Sequence, residues 1–351
     1  MNIPIQNIYY LLCYAWNRLE ERDIVDVQGI DTTSLVDLFA KVLIGGMGHL
    51  LKRGLDRGYI SRSEEGRCIK GKLSFGPTIK QNLLIQAKVF CDYDELSHNV
   101  LHNQILKATI RCLTTVSSLN KDLKEQLIGL QRRLHGIDDV GLNSRLFSSV
   151  QLNRNNSFYD FLLKICELVY ENLLPTEDPG RTKFRDFLQD EKKMRALFEE
   201  FVRNFYIIEA NDCIVRREDI AWHAKALDDK AEKFLPKMIT DISIEKDNTK
   251  AIIDTKYYKE ALVTHYEQEK IHPGHLYQLH AYLSNLEHKG GINLNCSGVL
   301  LYPTVDAEYC LPYQFGKHRL TVCTINLNQD WTSIQKDLMN ILYGALTVSP
   351  N

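Results

Sequence analysis

The sequence predicts an α+β N-terminal domain followed by an α/β domain, and three observations carry that expectation. In the first half, helix-like and strand-like apolar spacings alternate. In the second, two helical stretches precede a series of strands, with a helix between the second strand and the third. Between the halves, residues 175–181 (PTEDPGR) hold two prolines and a glycine, too many breakers for a helix interior. A chain of 351 residues has the length for about two domains of roughly 150 residues each. The boundary is expected between residues 150 and 180, giving domains over 1–155 and 156–351.

Taken in order, the chain opens with an aromatic-rich amphipathic helix beginning near Gln6. It has a stripe of Ile8, Leu11, Leu12 and Ala15 beside Tyr9, Tyr10, Tyr14 and Trp16, which core packing explains. Helical spacing follows over 35–51 and 100–113, and alternation over 69–75 (IKGKLSF) and 88–93. The second half opens with helices over 158–173 and 191–208. Strands are expected over 237–244, 250–258, 297–302 and 320–327, with helices over 276–286 and 331–342.

Composition narrows the class. Hydrophobic residues at 44% and charged residues at 25% are ordinary for a globular protein and argue against a disordered or fibrous chain. The balance of 43 basic and 45 acidic residues argues against a protein that grips nucleic acid through bulk positive charge. A local patch remains open, because residues 51–80 hold eight basic and three acidic groups; a solvated basic face is the plainer reading. The longest apolar run, 42–51, falls well short of the roughly 20 residues of a spanning helix. No basic residue precedes the apolar stretch 8–16, so the chain is expected in the cytoplasm, with no membrane contact. Nine scattered cysteines without a CxxC pair are expected to be reduced thiols rather than disulfides or zinc ligands.

The chemistry is concentrated in residues 238–258 (MITDISIEKDNTKAIIDTKYY). Two alternating runs flank Asp247 and Asn248, residue types suited to a tight hairpin turn. A hairpin with its tip there sets Asp241 directly opposite Asp254, with Cβ atoms about 4.5–5.5 Å apart. Lys256, two residues on, shares their face. Two opposed carboxylates repel unless a cation lies between them or one is protonated. A hard ion such as Mg²⁺ takes carboxylate oxygens and keeps room for a phosphate. Lys256 would then stabilise charge developing on that phosphate. A solvated strand face with a cross-strand salt bridge is the alternative, made costlier by Ile252 and Ile253, which put Asp254 near a buried floor.

The Asp, hairpin, Asp-x-Lys pattern resembles the core of PD-(D/E)xK nucleases. The surrounding words LPKMITDI (235–242), IIDTKYYK (252–259), LYQLHAYL (276–283), LLYP (300–303), IPIQNIYYLLCYAW (3–16) and YDELS (93–97) resemble the McrC family, the nuclease subunits of McrBC restriction systems. The resemblance runs over nearly the whole chain. It implies a PD-(D/E)xK restriction-endonuclease-like second domain behind an N-terminal partner-docking domain. Asp241 and Asp254 would ligate Mg²⁺, with the Thr255 carbonyl as a further candidate ligand and Lys256 as the catalytic lysine. Gln278 and Tyr282 match a QxxxY helix motif of some nucleases in the superfamily, and four residues apart they share a helix face; a polar helix edge is the alternative. By analogy an accessory acid comes from the preceding helix, where Glu199 is preferred over Glu200; a plain solvated glutamate is the alternative.

The resemblance further implies an endodeoxyribonuclease that cuts double-stranded DNA delivered by a McrB-like AAA+ GTPase hexamer. The hexamer would recognise 5-methylcytosine, and this chain would stimulate its GTPase. Two alternatives stay open: a stand-alone repair or recombination nuclease of the superfamily, and a non-catalytic activator of an AAA+ motor. No nucleotide is expected on this chain. Residues 66–73 (GRCIKGKL) match a phosphate-binding loop except that Leu73 stands where the hydroxyl is needed, and their alternation suggests a strand. His272, His275, His280 and His288 lack zinc spacing and are expected at the surface or in a groove.

Overall fold

The computed structural model of the chain describes residues 3–19, 34–153, 156–175, 182–225, 227, 234–257, 263–265, 268–304 and 308–347. They fall into two compact units. One runs over residues 34–185; the other joins residues 3–19 to those from 186 on. The expected division at 155 is thus corrected twice: the break lies at Arg185–Asp186, and the first helix belongs with the C-terminal residues.

Packing explains the first helix. Helix α1 (Ile5–Ala15) is buried at nine of its eleven positions. The Tyr14 ring lies 5.3 Å from that of Phe205 and 5.5 Å from that of Trp331, and the Asn7 amide donates to the Leu327 and Gln329 carbonyls. No local signal in residues 5–15 specifies which distant helix will cover an apolar stripe.

The unit over 34–185 contains a helical core and a small sheet. Helix α2 (Leu35–Arg53) leads to strands β1 (Gly58–Gly66) and β2 (Lys72–Leu73), helix α3 (Phe75–Lys80) and strand β3 (Val89–Ser97). The three strands pair antiparallel in the order β1-β3-β2. Within residues 66–73 Gly66 ends β1 and Lys72 and Leu73 form β2, preceded by a bend at Gly71 with φ +64°, where a Cβ would meet the Asp92 carbonyl at 2.5 Å. No helix opens at Lys72, as a nucleotide-binding loop would require. Helices α4 (Leu101–Thr114), α5 (Lys121–Arg133), α6 (Ser144–Ser149) and α7 (Ser157–Asn172) follow, then the short pair β4 (Leu173–Pro175) and β5 (Thr182–Phe184). The breaker run therefore begins inside a hairpin of this unit rather than at a domain boundary; residues 176–181 lie outside the described residues. Phe39, Leu43, Leu106, Ile110, Phe161 and Ile165 are fully buried in its core.

The other unit is built on a six-stranded mixed sheet. Helix α8 (Glu191–Glu209), capped by the Asp190 carboxylate, precedes strands β6 (Ile214–Arg216), β7 (Asp219–Ile220), β8 (Met238–Ile239), β9 (Ile242–Lys246) and β10 (Thr249–Thr255). After the short pair β11 (Val263–His265) and β12 (Gln268–Lys270) come helix α9 (Pro273–Glu287), strands β13 (Ser297–Thr304), β14 (Cys310–Phe315) and β15 (His318–Asn326), and helix α10 (Trp331–Leu346). The order is β14-β15-β13-β10-β9-β6, with β10, β13 and β15 parallel. A parallel β10–β13 pair needs a crossover, and α9 supplies it. Ile252, Leu300, Tyr302, Leu320 and Val322 pack against Leu279 and Leu283 of α9. The approach is close enough that a Cβ on Gly298 would meet the Leu283 and Leu279 side chains at 2.9 and 3.0 Å. All nine cysteines are free thiols, and no described helix is long and apolar enough to cross a membrane.

Beside the hairpin of β9 and β10 lies a buried ion cluster. Lys250 Nζ, on a side chain only 2% exposed, lies 2.6 Å from Glu218 and 3.1 Å from Glu245. Glu218 also accepts from Ser243 Oγ and Lys289 Nζ, and its backbone exchanges hydrogen bonds with Thr240. Burial pushes the Glu218 carboxyl up, but Lys250, Lys289 and Ser243 outweigh it and hold it below its ordinary value. This stabilisation is therefore present above the unfolded-state pKa and lost as pH falls through the lower folded value. In urea titrations, Lys250→Met is expected to cost about 3 kcal/mol at pH 7, because Glu218 and Glu245 lose their buried partner and keep only the more exposed Lys289 and Arg216. The cost should shrink at pH 3; an equal loss at both values would remove the ionic explanation.

Candidate functional site

The hairpin register agrees with the alternation in the sequence. Thr249 faces Lys246, and the ladder runs to Ile253 opposite Ile242, with Asp247 at φ +50° in the turn. Extended by one position it would pair Asp254 with Asp241, but there the strands part. Asp241 sits in a bend outside β9, and its Oδ2 accepts from the Thr255 backbone N–H at 2.8 Å and the Thr255 hydroxyl at 3.0 Å. The break in pairing turns the Asp241 carboxylate towards the end of β10, and Thr255 fixes it there.

Asp254 is completely buried. Its Oδ2 lies 2.7 Å from Lys256 Nζ, yet neither oxygen receives a well-directed hydrogen bond. Burial pushes the Asp254 carboxyl up to about 7; Lys256 opposes the shift, and Asp241 and Glu199 add to it. Lys256 is anchored by a relay: its Nζ donates to Gln278 Oε1 at 2.9 Å, and Gln278 Nε2 donates to the Tyr282 hydroxyl at 2.8 Å. The Tyr282 hydroxyl donates in turn to the Ile239 carbonyl at 3.1 Å. Helix α9, placed by the crossover, thus reaches from the lysine back to the strand preceding Asp241.

The donor set is two carboxylates and a backbone carbonyl, hard oxygens of the kind Mg²⁺ takes with its remaining positions left to water and phosphate. The undonated, buried Asp254 oxygen fits such an ion. Among the described residues no three His, Cys, Asp or Glu side chains converge on one metal-sized space. A site here would rest on Asp241, Asp254 and the Thr255 carbonyl.

The comparisons with known proteins agree over most of the chain. The family model of the McrBC 5-methylcytosine restriction system component matches residues 6–303. The chain belongs to this family. A type IV methyl-directed restriction enzyme of Escherichia coli K12 is 33% identical over 339 residues, covering 97% of each chain. A solved structure from Thermococcus gammatolerans, a half-complex of McrB AAA+ hexamers with bound McrC, is similar in fold with a TM-score of 0.62. It covers 97% of this chain and 76% of the other at 15% identity.

Within this McrBC-family chain, the structure brings Asp241, Asp254, Thr255, Lys256, Gln278 and Tyr282 together. Glu199 and Glu200 are both engaged by arginines. Glu199 Oε1 accepts from Arg203 at 3.3 Å and makes a shorter contact with Arg217, while Glu200 contacts Arg203 closely. The charge of Glu199 nonetheless helps to raise the Asp254 carboxyl. His272, His280 and His288 are exposed as expected, but His275 is buried, with Nδ1 2.8 Å from the Tyr302 hydroxyl. Burial pushes His275 down to about 4, reinforced by the positive charge of Lys256, so it is neutral at physiological pH. Alternation alone does not reveal its position, since His275 lies at the start of a helix.

In the absence of metal, ionising Asp254 opposes folding. With a folded value of about 7 against about 4 when unfolded, its contribution weakens the fold as pH rises between them. In thermal unfolding with a chelator, Asp254→Asn is expected to be more stable than the parent at pH 8 and nearly equal to it at pH 4. A variant less stable than the parent at pH 8 would contradict this.

Proposed function

We propose that the chain is the nuclease subunit of an McrBC restriction system: a Mg²⁺-dependent endodeoxyribonuclease with a PD-(D/E)xK centre at Asp241, Asp254 and Lys256. The observation that carries this reading is a fully buried carboxylate, Asp254, with an oxygen lacking any donor, set beside a second carboxylate and an anchored lysine. An ordinary structural carboxylate at that depth would be saturated with hydrogen bonds. Membership of the family and the 33% identical restriction enzyme support it at the level of the system.

Asp241 and Asp254, with the Thr255 carbonyl, would hold the cation. When bound, Mg²⁺ supplies Lewis acidity at the phosphoryl oxygen and neutralises charge on the scissile phosphate. Thr255 keeps Asp241 turned inward through two hydrogen bonds to one oxygen. Lys256 presents its ammonium beside the reacting phosphate, where it stabilises the charge that develops as water attacks. Gln278 and Tyr282 act through Lys256, fixing its position rather than touching the phosphate. Hydrolysis would leave 5′-phosphate ends.

The Thermococcus structure, in which McrC is bound to McrB AAA+ hexamers, supports a McrB-like AAA+ GTPase hexamer as the partner. That partner would deliver 5-methylcytosine-containing duplex DNA and have its GTPase stimulated by this chain. Asp254→Ala and Lys256→Ala are each expected to abolish cleavage of methylated plasmid while binding to the partner and GTPase stimulation survive. Cutting by either variant would sink the assignment. Gln278→Ala, which frees Lys256 without removing it, is expected to slow cleavage roughly tenfold to a hundredfold. An unchanged rate would confine the relay to a structural role.

A further inference from the structure

Two of the nine cysteines meet across a strand pair. Strands β14 and β15 are joined by a two-residue turn at Gly316 and Lys317, with Gly316 at φ +58°. That short loop fixes the register: Phe315 faces His318, and further along the ladder Cys310 faces Cys323. Cys91, the other cysteine in a described strand, faces Glu64 and Leu73 instead. The Thr324 N–H donates to the Tyr309 carbonyl at 3.0 Å, so Tyr309 and Thr324 are a hydrogen-bonded pair and their neighbours Cys310 and Cys323 are not. Opposed residues of that second kind have Cα atoms about 4.5 Å apart, inside the range of roughly 4.4–6.8 Å that a disulfide spans. Their side chains leave the sheet on one face, and the two thiols share a hydrogen bond.

The two sulfurs differ in access. Cys310 is exposed on the edge strand of the six-stranded sheet, whereas Cys323, one strand further in, is only 3% exposed. Burial, reinforced by the Cys310 thiol, pushes the Cys323 thiol up, so it keeps its proton at neutral pH. A buried cysteine on its own is an inert small apolar residue. An exposed cysteine seated directly on a protected thiol is a different arrangement: one sulfur meets an oxidant, and the other is held where it can resolve the product.

We propose that Cys310 and Cys323 are a reversible redox pair: hydrogen peroxide oxidises Cys310, and Cys323 resolves it into a cross-strand disulfide that fastens β14 to β15. In the first step the Cys310 sulfur attacks a peroxide oxygen, the O–O bond breaks, and one water departs to leave a sulfenic acid. In the second, the Cys323 sulfur attacks the Cys310 sulfur. The S–S bond forms, the S–O bond breaks, and the hydroxyl leaves with the Cys323 proton as a second water. Two thiols lose two electrons, and one hydrogen peroxide is reduced to two waters. The exposed Cys310 sulfur leaves the bond open to thiol reductants, which makes it reversible. Neither step calls on the nuclease centre.

The test treats the full chain with a small excess of hydrogen peroxide, blocks the remaining thiols and maps the tryptic peptides. Cleavage at Lys317 and Arg319 separates the two cysteines, so the disulfide is expected as residues 290–317 joined to residues 320–336, and it should vanish after dithiothreitol. Cys296 shares the first of these peptides. Cys310→Ser, a change at an exposed edge, should therefore abolish the link, Cys296→Ser should leave it, and fragmentation of the parent's linked peptide should place it at Cys310 and Cys323. Amide exchange in β14 should slow on the order of tenfold on oxidation, because a fastened edge strand no longer opens on its own. Sulfenic or sulfinic acid accumulating at Cys310 with no link to Cys323 would overturn the pairing. So would a link that survives Cys310→Ser, or two copies of the chain joined through Cys310. Unchanged exchange in a fully linked chain would overturn the fastening.

Discussion

The candidate site depends on one costly placement: a carboxylate carried to full burial at the end of a central strand. Asp254 continues Ala251, Ile252 and Ile253, all completely buried, so the residues that build the core also deliver the charge into it. Lys256 answers that charge, and Lys256 is itself immobilised through Gln278 and Tyr282 to the Ile239 carbonyl. For Gln278 to reach, α9 must lie tightly on β13, which the missing side chain at Gly298 allows. A β-carbon there would press on the Leu279 and Leu283 side chains of the helix that holds the lysine. Fold and chemistry are coupled through that contact.

The parts of this arrangement visible in the sequence are those governed by local periodicity. Alternation on either side of Asp247 and Asn248 specified the hairpin register, because a one-residue slip would turn every side chain of β10 to the opposite face of the sheet. The same rule placed Lys256 with Asp254. It did not show that pairing ends at Ile253, since Asp241 leaves the ladder through contacts with Thr255 rather than through any residue that breaks a strand. The four-residue spacing of Gln278 and Tyr282 was legible, whereas the destination of their hydrogen bonds followed only from how α9 crosses the sheet.

Non-local choices were the ones that sequence patterns left open. An amphipathic helix at residues 5–15 announces that it will be covered, and says nothing of whether the cover comes from residue 40 or residue 205. Its burial against Phe205 and Trp331 moved it out of the N-terminal half. The prolines near 175 similarly marked a break in helix without saying what replaces it, and Pro175 ends a strand, β4, that pairs antiparallel with β5. Glu199 and Glu200 are adjacent on α8 and equivalent by composition. Only the fold separates them, leaving the Glu199 side chain half as exposed as that of Glu200.

A formal net charge of −2 first counts against a protein that acts on DNA. The distribution of ion pairs gives that number a different meaning. Around the site, Lys256 is paired with Asp254, Lys250 and Lys289 with Glu218, Arg216 with Glu245, and Arg217 with Glu199. Cations already neutralised by their own chain release few counterions from a duplex, so non-specific attraction to phosphate is weak. Of these cations Lys250 is the most deeply held, 2% exposed between two carboxylates, whereas Arg216 and Arg217 are about half exposed. Under the nuclease reading proposed above, a surface with its cations already paired would depend on another component to bring a duplex to it.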